Sequence, residues 1–201
     1  DLDVAIDHAT QAVELTRPAS PDRAAWLNTL AALLSARWHR DGDPADLDVA
    51  IDHATQAVEL TRPDSPNRAT WLNNLAGRLV DRGDRDGNGQ DVEAAVLLWR
   101  PALASAKDRD VLAVLTAAEG VARATLGTEQ WHVCAEAAEI AVREVRELVG
   151  AFGSARAGYW LGQVQGLAAD GAYAYARQGR LIEAVSLMER GLGVLEAERM
   201  A

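Results

Sequence analysis

Residues 1–18 read DLDVAIDHATQAVELTRP, and residues 46–63 read the same eighteen letters. A chain that copies itself at a 45-residue period folds as a row of equivalent units rather than around one irregular core. About 32 of the first 45 positions recur in residues 46–90, including the Trp-Leu-Asn of Trp26–Asn28 and Trp71–Asn73. A third copy starts in register at Asp91, where DVEAAV stands in place of DLDVAI.

Each unit reads as two helices. Leu2, Ala5, Ile6, Ala9, Ala12, Val13 and Leu15 follow the i, i+3, i+4, i+7 spacing of an amphipathic helix. Asp1 and Asp3 put negative charge at its N-terminus, where the helix dipole favours it. Pro18 and Pro21 stop it. Asp22, and Asn67 in the next copy, is the expected N-cap of a second helix with Trp26, Leu27, Leu30, Ala31, Leu34 and Trp38 along one side. Residues 41–45 and 83–90 read as the turns between units. Pro101 stands where the earlier copies have Gln11 and Gln56, and is expected to kink its helix and end the regular array.

Beyond residue 105 the period fades, but helices are predicted at about 110–126, 128–149, 154–178 and 180–200, punctuated by glycines. No strand pattern occurs. A single helix pair cannot bury its own apolar face, so neighbours must stack. The expected fold is an all-α solenoid of antiparallel helix pairs in a right-handed superhelix. Near-identical units occupy residues 1–105 and divergent ones 106–201.

Composition narrows the function classes. The 201 residues carry a formal net charge of −10, and Lys107 is the only lysine. Such an acidic surface repels phosphate backbones, which argues against nucleic acid. No apolar run nears the roughly 18–20 residues of a membrane span, and no signal-peptide pattern opens the chain. The single cysteine, Cys134, permits no intrachain disulfide and fits a reducing cytoplasm.

The pattern LNxLA at Leu27–Ala31 and Leu72–Ala76, followed by Ala50, Ile51 and Ala57, resembles the tetratricopeptide repeat, as do Ala172, Tyr175, Gly179, Ala184 and Met188 late in the chain. The period of 45, against about 34 in that repeat, and the displaced Pro63 are departures. This long variant, with DLDxAI, TRPxSP and WLNNLA, is similar to the arrays of actinobacterial proteins that carry a caspase-like CHAT domain. Residues 181–195 resemble the junction preceding that domain. The resemblance implies a regulatory or sensor region binding a protein or peptide, linked to a CHAT-type domain whose catalytic His and Cys are absent from this chain. Asp1, which opens a helix without a starting Met, and the helical LEAERMA at the end predict a piece of a longer protein.

In tetratricopeptide arrays the helix bearing LNxLA lines the concave face. Asn28, Asn73 and Asn74 are therefore candidates to bond the backbone of an extended peptide, and Arg37, Arg78 and Arg82 to attract its carboxylates. The alternative for the asparagines is bonding between units. A lysine-based carboxylate clamp is not reproduced, since no Lys precedes residue 107.

Other polar residues read as structural. His8 and His53 are copies of one helix-surface position. His132 and Cys134 lie two apart on a predicted helix, so their side chains diverge by roughly 200° and form no nucleophile–base pair. Asp84-x-Asp86-x-Asn88-Gly89 opens like a calcium loop, but Ala95 holds the twelfth position, and a solvated turn is expected. Most of the six tryptophans are assigned to the core.

Gly158, Gly162 and Gly166 form a row where a helix of the same fold, or alternatively a partner, can approach closely. No catalytic residue, metal or cofactor is expected. The chain reads as a non-enzymatic, cytoplasmic module binding protein or peptide. The competing class is a small-molecule binder or enzyme with a pocket around Tyr159, Trp160, Tyr173 and Tyr175. A deep apolar pocket would favour the competitor, and an open groove the module.

Overall fold

The computed structural model describes residues 1–106, 111–152 and 158–199, and within them the side chains other than those of residues 21, 102–106, 111–112, 148–152, 158–161 and 194–199. Among the described residues there are nine α-helices and no strand. They are α1 (Leu2–Leu15), α2 (Pro21–Asp41), α3 (Pro44–Leu60), α4 (Arg68–Asp86), α5 (Gly89–Ala106), α6 (Val111–Gly127), α7 (Trp131–Phe152), α8 (Gly158–Arg177) and α9 (Leu181–Arg199). The helices form antiparallel pairs and divide into two compact units, Asp1–Leu98 and Trp99–Ala201.

In the first unit the sequence controls where each helix starts and stops. The N-cap of α2 is Ser20 rather than Asp22: its Oγ accepts the Asp22 N–H at 3.3 Å, and Pro21 follows at the first helical position. Asn67 precedes α4 without a side-chain capping bond. There Ser65 accepts the Asn67 N–H instead, at 3.4 Å. Gly42 and Gly87, with φ of +77° and +64°, end α2 and α4 in the left-handed conformation that a Cβ disfavours. Asp43 and Asn88 then cap α3 and α5 through bonds of 3.0 Å to the second N–H beyond them. The turn expected over 83–90 is thus shorter, and Asp84 and Asp86 belong to α4.

Helix α2 packs against α1, α3 and α4. Its buried Leu27, Leu30 and Ala31 meet a core that includes Leu47, Ala50, Leu72 and Ala76. Alanine at the contacts lets the helix axes approach closely, and the apolar stripe supplies the burial that holds the pairs together.

The second unit has two layers: α6 meets α8, α7 meets α9, and α7 packs on both α6 and α8. Trp99, 2% exposed, lies against Gly120, where the indole leaves no room for a Cβ. Gly171 likewise admits Ala138 and Leu187, and Gly191 admits Ala168. The chain continues as helix through Pro101 to Ala106.

The tryptophans correct the expectation that most of them lie in the core. Of those whose side chains are described, only Trp99 is buried; Trp26 is 42% exposed, and Trp38, Trp71 and Trp131 are partly exposed. Alanines already fill the helix contacts, so bulky rings sit at the rim. Trp131 meets Tyr173 edge-on at 5.8 Å, with the Arg177 guanidinium 4.6 Å from its ring. The Trp160 side chain lies outside the described residues.

Candidate functional site

The candidate residues of the first unit divide into two groups. Arg37 grips Asp46 through two bonds of 2.7 and 2.6 Å, and Arg82 grips Asp91 at 2.7 and 2.8 Å. These are the same clasp 45 residues apart, joining the C-terminal parts of α2 and α4 to the first turns of α3 and α5. The bidentate geometry is the strong form of the arginine–carboxylate bond. Arg82 holds the Asp91 carboxyl below its usual range.

Other arginines repeat in the same way. Arg40 bonds Asp41 and approaches Asp3, while Arg85 bonds Asp86, Asp48 and the Pro44 carbonyl. Arg23 donates to the Val13 and Thr16 carbonyls that end α1, and Arg68 to those of Val58 and Thr61 that end α3. The sequence carried the signal for these clasps, an Arg-to-Asp offset of nine residues retained in both copies, and sequence reasoning did not use it.

The other group lies between α2 and α4. The Asn74 amide donates to Asn28 Oδ1 at 3.0 Å. Arg78, 6% exposed, donates through Nε to the Ala31 carbonyl at 3.3 Å and through a terminal nitrogen to the Asn74 carbonyl at 2.6 Å. Burial drives its pKa down to about 10, against the attraction of Asp81. Asn28 and Asn73 are buried. The structure thus brings Asn28, Asn74 and Arg78 together between two helices. Arg37 and Arg82 stand in clasps at the helix ends.

The remaining chemistry-bearing groups are separated. Cys134 is fully buried, its thiol 3.7 Å from the Asp170 carbonyl, and burial pushes its pKa up to about 11. His132, two residues away, is exposed. A thiol held protonated is a poor nucleophile. The two histidine copies differ: His8 is exposed, whereas His53 is partly buried and its pKa lowered by that burial. Asp86 and Asp91 are bonded to Arg85 and Arg82, and Asp84 and Asp86 follow helical rather than loop geometry. Among the described residues no three His, Cys, Asp or Glu converge as metal ligands.

The aromatic pocket of the competing reading is only partly described. The Tyr159 and Trp160 side chains lie outside the described residues. Tyr173 is exposed, and Tyr175 is buried, donating to Glu139 at 3.3 Å.

Three clefts open among the described residues. One, of about 510 Å³, lies between the two TRPxSP turns and includes Pro18, Leu60, Pro66 and Trp71. A second, of about 490 Å³, runs beside α7 and α9 and is bridged by Arg190, which clasps Glu139 with two bonds of 2.6 Å. The third, of about 450 Å³, lies between α6 and α8. Glu119, Arg123 and Leu126 form one wall, and Gly162, Gln163, Gly166, Leu167 and Asp170 the other.

At Gly162 and Gly166 an added Cβ would meet no described atom within 4 Å. This corrects the reading of that glycine row as packing inside the fold, a role that Gly171 and Gly191 fill instead. Burial raises both the Glu119 and the Asp170 carboxyls.

These helix pairs define a class, the tetratricopeptide-like α-solenoid. A crystal structure of BtubC (BKLC) from P. vanneervenii matches 99% of this chain and 75% of its own at 17% identity, with a TM-score of 0.69. A point variant of a Podosopora anserina protein, crystallised as a kinesin light chain with nearly identical TPR-like repeats, matches 100% of this chain and 89% of its own at 20% identity and TM-score 0.62. The crystal structure of MamA matches 100% and 92% at 15% identity and TM-score 0.52. Identities this low establish the fold and nothing of the function. No family model and no curated protein matches the sequence. No helix among the described residues is long and apolar enough to cross a membrane.

Proposed function

We propose that this chain is a non-enzymatic module that binds a protein or an extended peptide. The observation that carries the proposal is the open, glycine-floored groove between α6 and α8, which suits a chain segment rather than an enclosed small substrate. The buried Cys134, whose thiol burial holds protonated, argues in the same direction. In the first unit Asn28, Asn73, Asn74, Arg37, Arg78 and Arg82 form a second candidate surface, where a peptide gains amide bonds by exchanging with those already made between α2 and α4.

The regulatory or sensor role beside a CHAT-type protease-like domain belongs to the same proposal. Its support is the DLDxAI, TRPxSP and WLNNLA pattern and the junction-like segment 181–195. A cytoplasmic setting follows from that role. The test is selection of a random peptide library on the immobilised, folded chain. Saturable binding of selected peptides, without cleavage, is expected. Turnover abolished by Cys134→Ala would overturn the proposal, and so would failure of every peptide to bind. Reading the parent gene on both sides of this segment tests the CHAT linkage.

A further inference from the structure

We propose that the groove between α6 and α8 takes a basic peptide segment, one lysine or arginine side chain seated between Glu119 and Asp170 and the backbone crossing Gly162 and Gly166. The inference rests on the peptide-binding reading above and names the chemistry of the partner.

The first support is an imbalance of charge. Asp46, Asp48, Asp86 and Asp91 each bond an arginine in the first unit, and Glu139 does so in the second. Glu119, which is exposed, and Asp170, which is partly buried, have no such partner among the described residues, although both line one groove. For the partly buried Asp170 a missing counter-charge is costly, and a cation seated beside it and Glu119 supplies one. Gln163 lies on the same wall, and its solvent-shielded Oε1 has no donor. The groove therefore offers three acceptor groups, which suits an ammonium with three N–H donors or a guanidinium with five. Arg123, one turn from Glu119, is exposed and bonds neither carboxylate, leaving its donors for a main-chain carbonyl of the segment.

The second support is backbone access. Glycine inside a helix is destabilising by roughly 0.5–1 kcal/mol relative to alanine, so it persists where something must come close. At Gly120, Gly171 and Gly191 that neighbour is present in the fold. At Gly162 and Gly166 no described atom takes the place, and both face the groove. An extended main chain fits such a floor, and its side chains reach the walls.

The experiment uses peptides recovered from a random library on the folded chain. Selected sequences should share a Lys or Arg at one position, and replacing it by norleucine should weaken binding about tenfold or more. Glu119→Gln and Asp170→Asn should each weaken the same peptides to a similar degree. Their thermal midpoints should hold, because neither carboxylate completes a bond among the described residues. Gly166→Leu should block binding in a folded protein. Two results would overturn the inference: peptides lacking a basic position, or full affinity in the folded Glu119→Gln/Asp170→Asn double variant. Non-basic peptides that Gly166→Leu still blocks would sink the charge argument and leave the peptide-binding reading standing. Failure to select any peptide would sink both.

Discussion

Helices α2 and α4 of the first unit and α6 and α8 of the second treat the space between them in opposite ways. Between α2 and α4, side chains bridge the gap: Asn74 to Asn28, and Arg78 to the Ala31 carbonyl. Between α6 and α8, glycines and unpaired carboxylates leave a groove. The first unit is built from nearly unaltered copies, whose polar groups arrive with their partners. The second has diverged, and its sequence is free to hold groups that complete no bond inside the fold. Between these two helix pairs, copying goes with bridging side chains and divergence with an open groove.

Five measurements break or sharpen that contrast. The largest effect belongs to Gly120→Ala. The Trp99 indole leaves no room for the methyl, and overpacking should cost about 3 kcal/mol in urea unfolding. An unchanged midpoint would mean the second unit is not tightly packed. Arg82→Ala should cost about 2 kcal/mol, because it strands the Asp91 carboxylate, which is 7% exposed. Arg82→Ala/Asp91→Ala should cost less than the two single losses added, since one clasp is removed twice.

Asn74→Ala comes next, with a loss of about 1 kcal/mol for one neutral bond. Calorimetric binding on the same folded variant shows whether Asn74 also serves a peptide. Gly166→Ala should move the other way and stabilise by roughly 0.5–1 kcal/mol, because the methyl enters open space. Destabilisation there would close the groove as an idea.

The smallest effect is the response to acid. Asp91, with a folded pKa below its unfolded value of about 3.9, contributes stability that is present above that value and lost as pH falls through the folded one. Glu119 and Asp170 have raised folded values, so protonation relieves strain as pH falls from 7 through those values. Hydrogen exchange, region by region, should show the second unit holding or gaining slightly above pH 4 and the first unit weakening below it. Parallel loss in both units would contradict the charge contrast.

The fold was legible because repetition and helical spacing are local signals. Leu27, Ala31, Leu72 and Ala76 are buried as their spacing required, and glycines end helices where the chain must turn left-handed. The errors came where two groups compete for one role. Ser20 displaced Asp22 as cap because Pro21 sets the helix start two residues earlier. Trp26 is at the surface because small residues had already filled the contacts. The groove was the least legible feature. A glycine row reads alike whether its neighbour belongs to the same chain or to another, and only the positions of α6 and α8 separate Gly166 from Gly171.

The clasp has a consequence for how such a chain can change its length. Position 37 of a copy supplies the arginine, and position 1 of the copy after it supplies the aspartate. Each of the first two copies therefore carries both halves of the joint, as a brick carries both tongue and groove, whereas the third keeps Asp91 but has Gly127 at position 37. Inserting or deleting 45 residues restores the joint without a new complementary surface having to arise, whereas any other increment separates donor from acceptor. Copy number can drift by recombination between the identical stretches while each junction remains chemically complete.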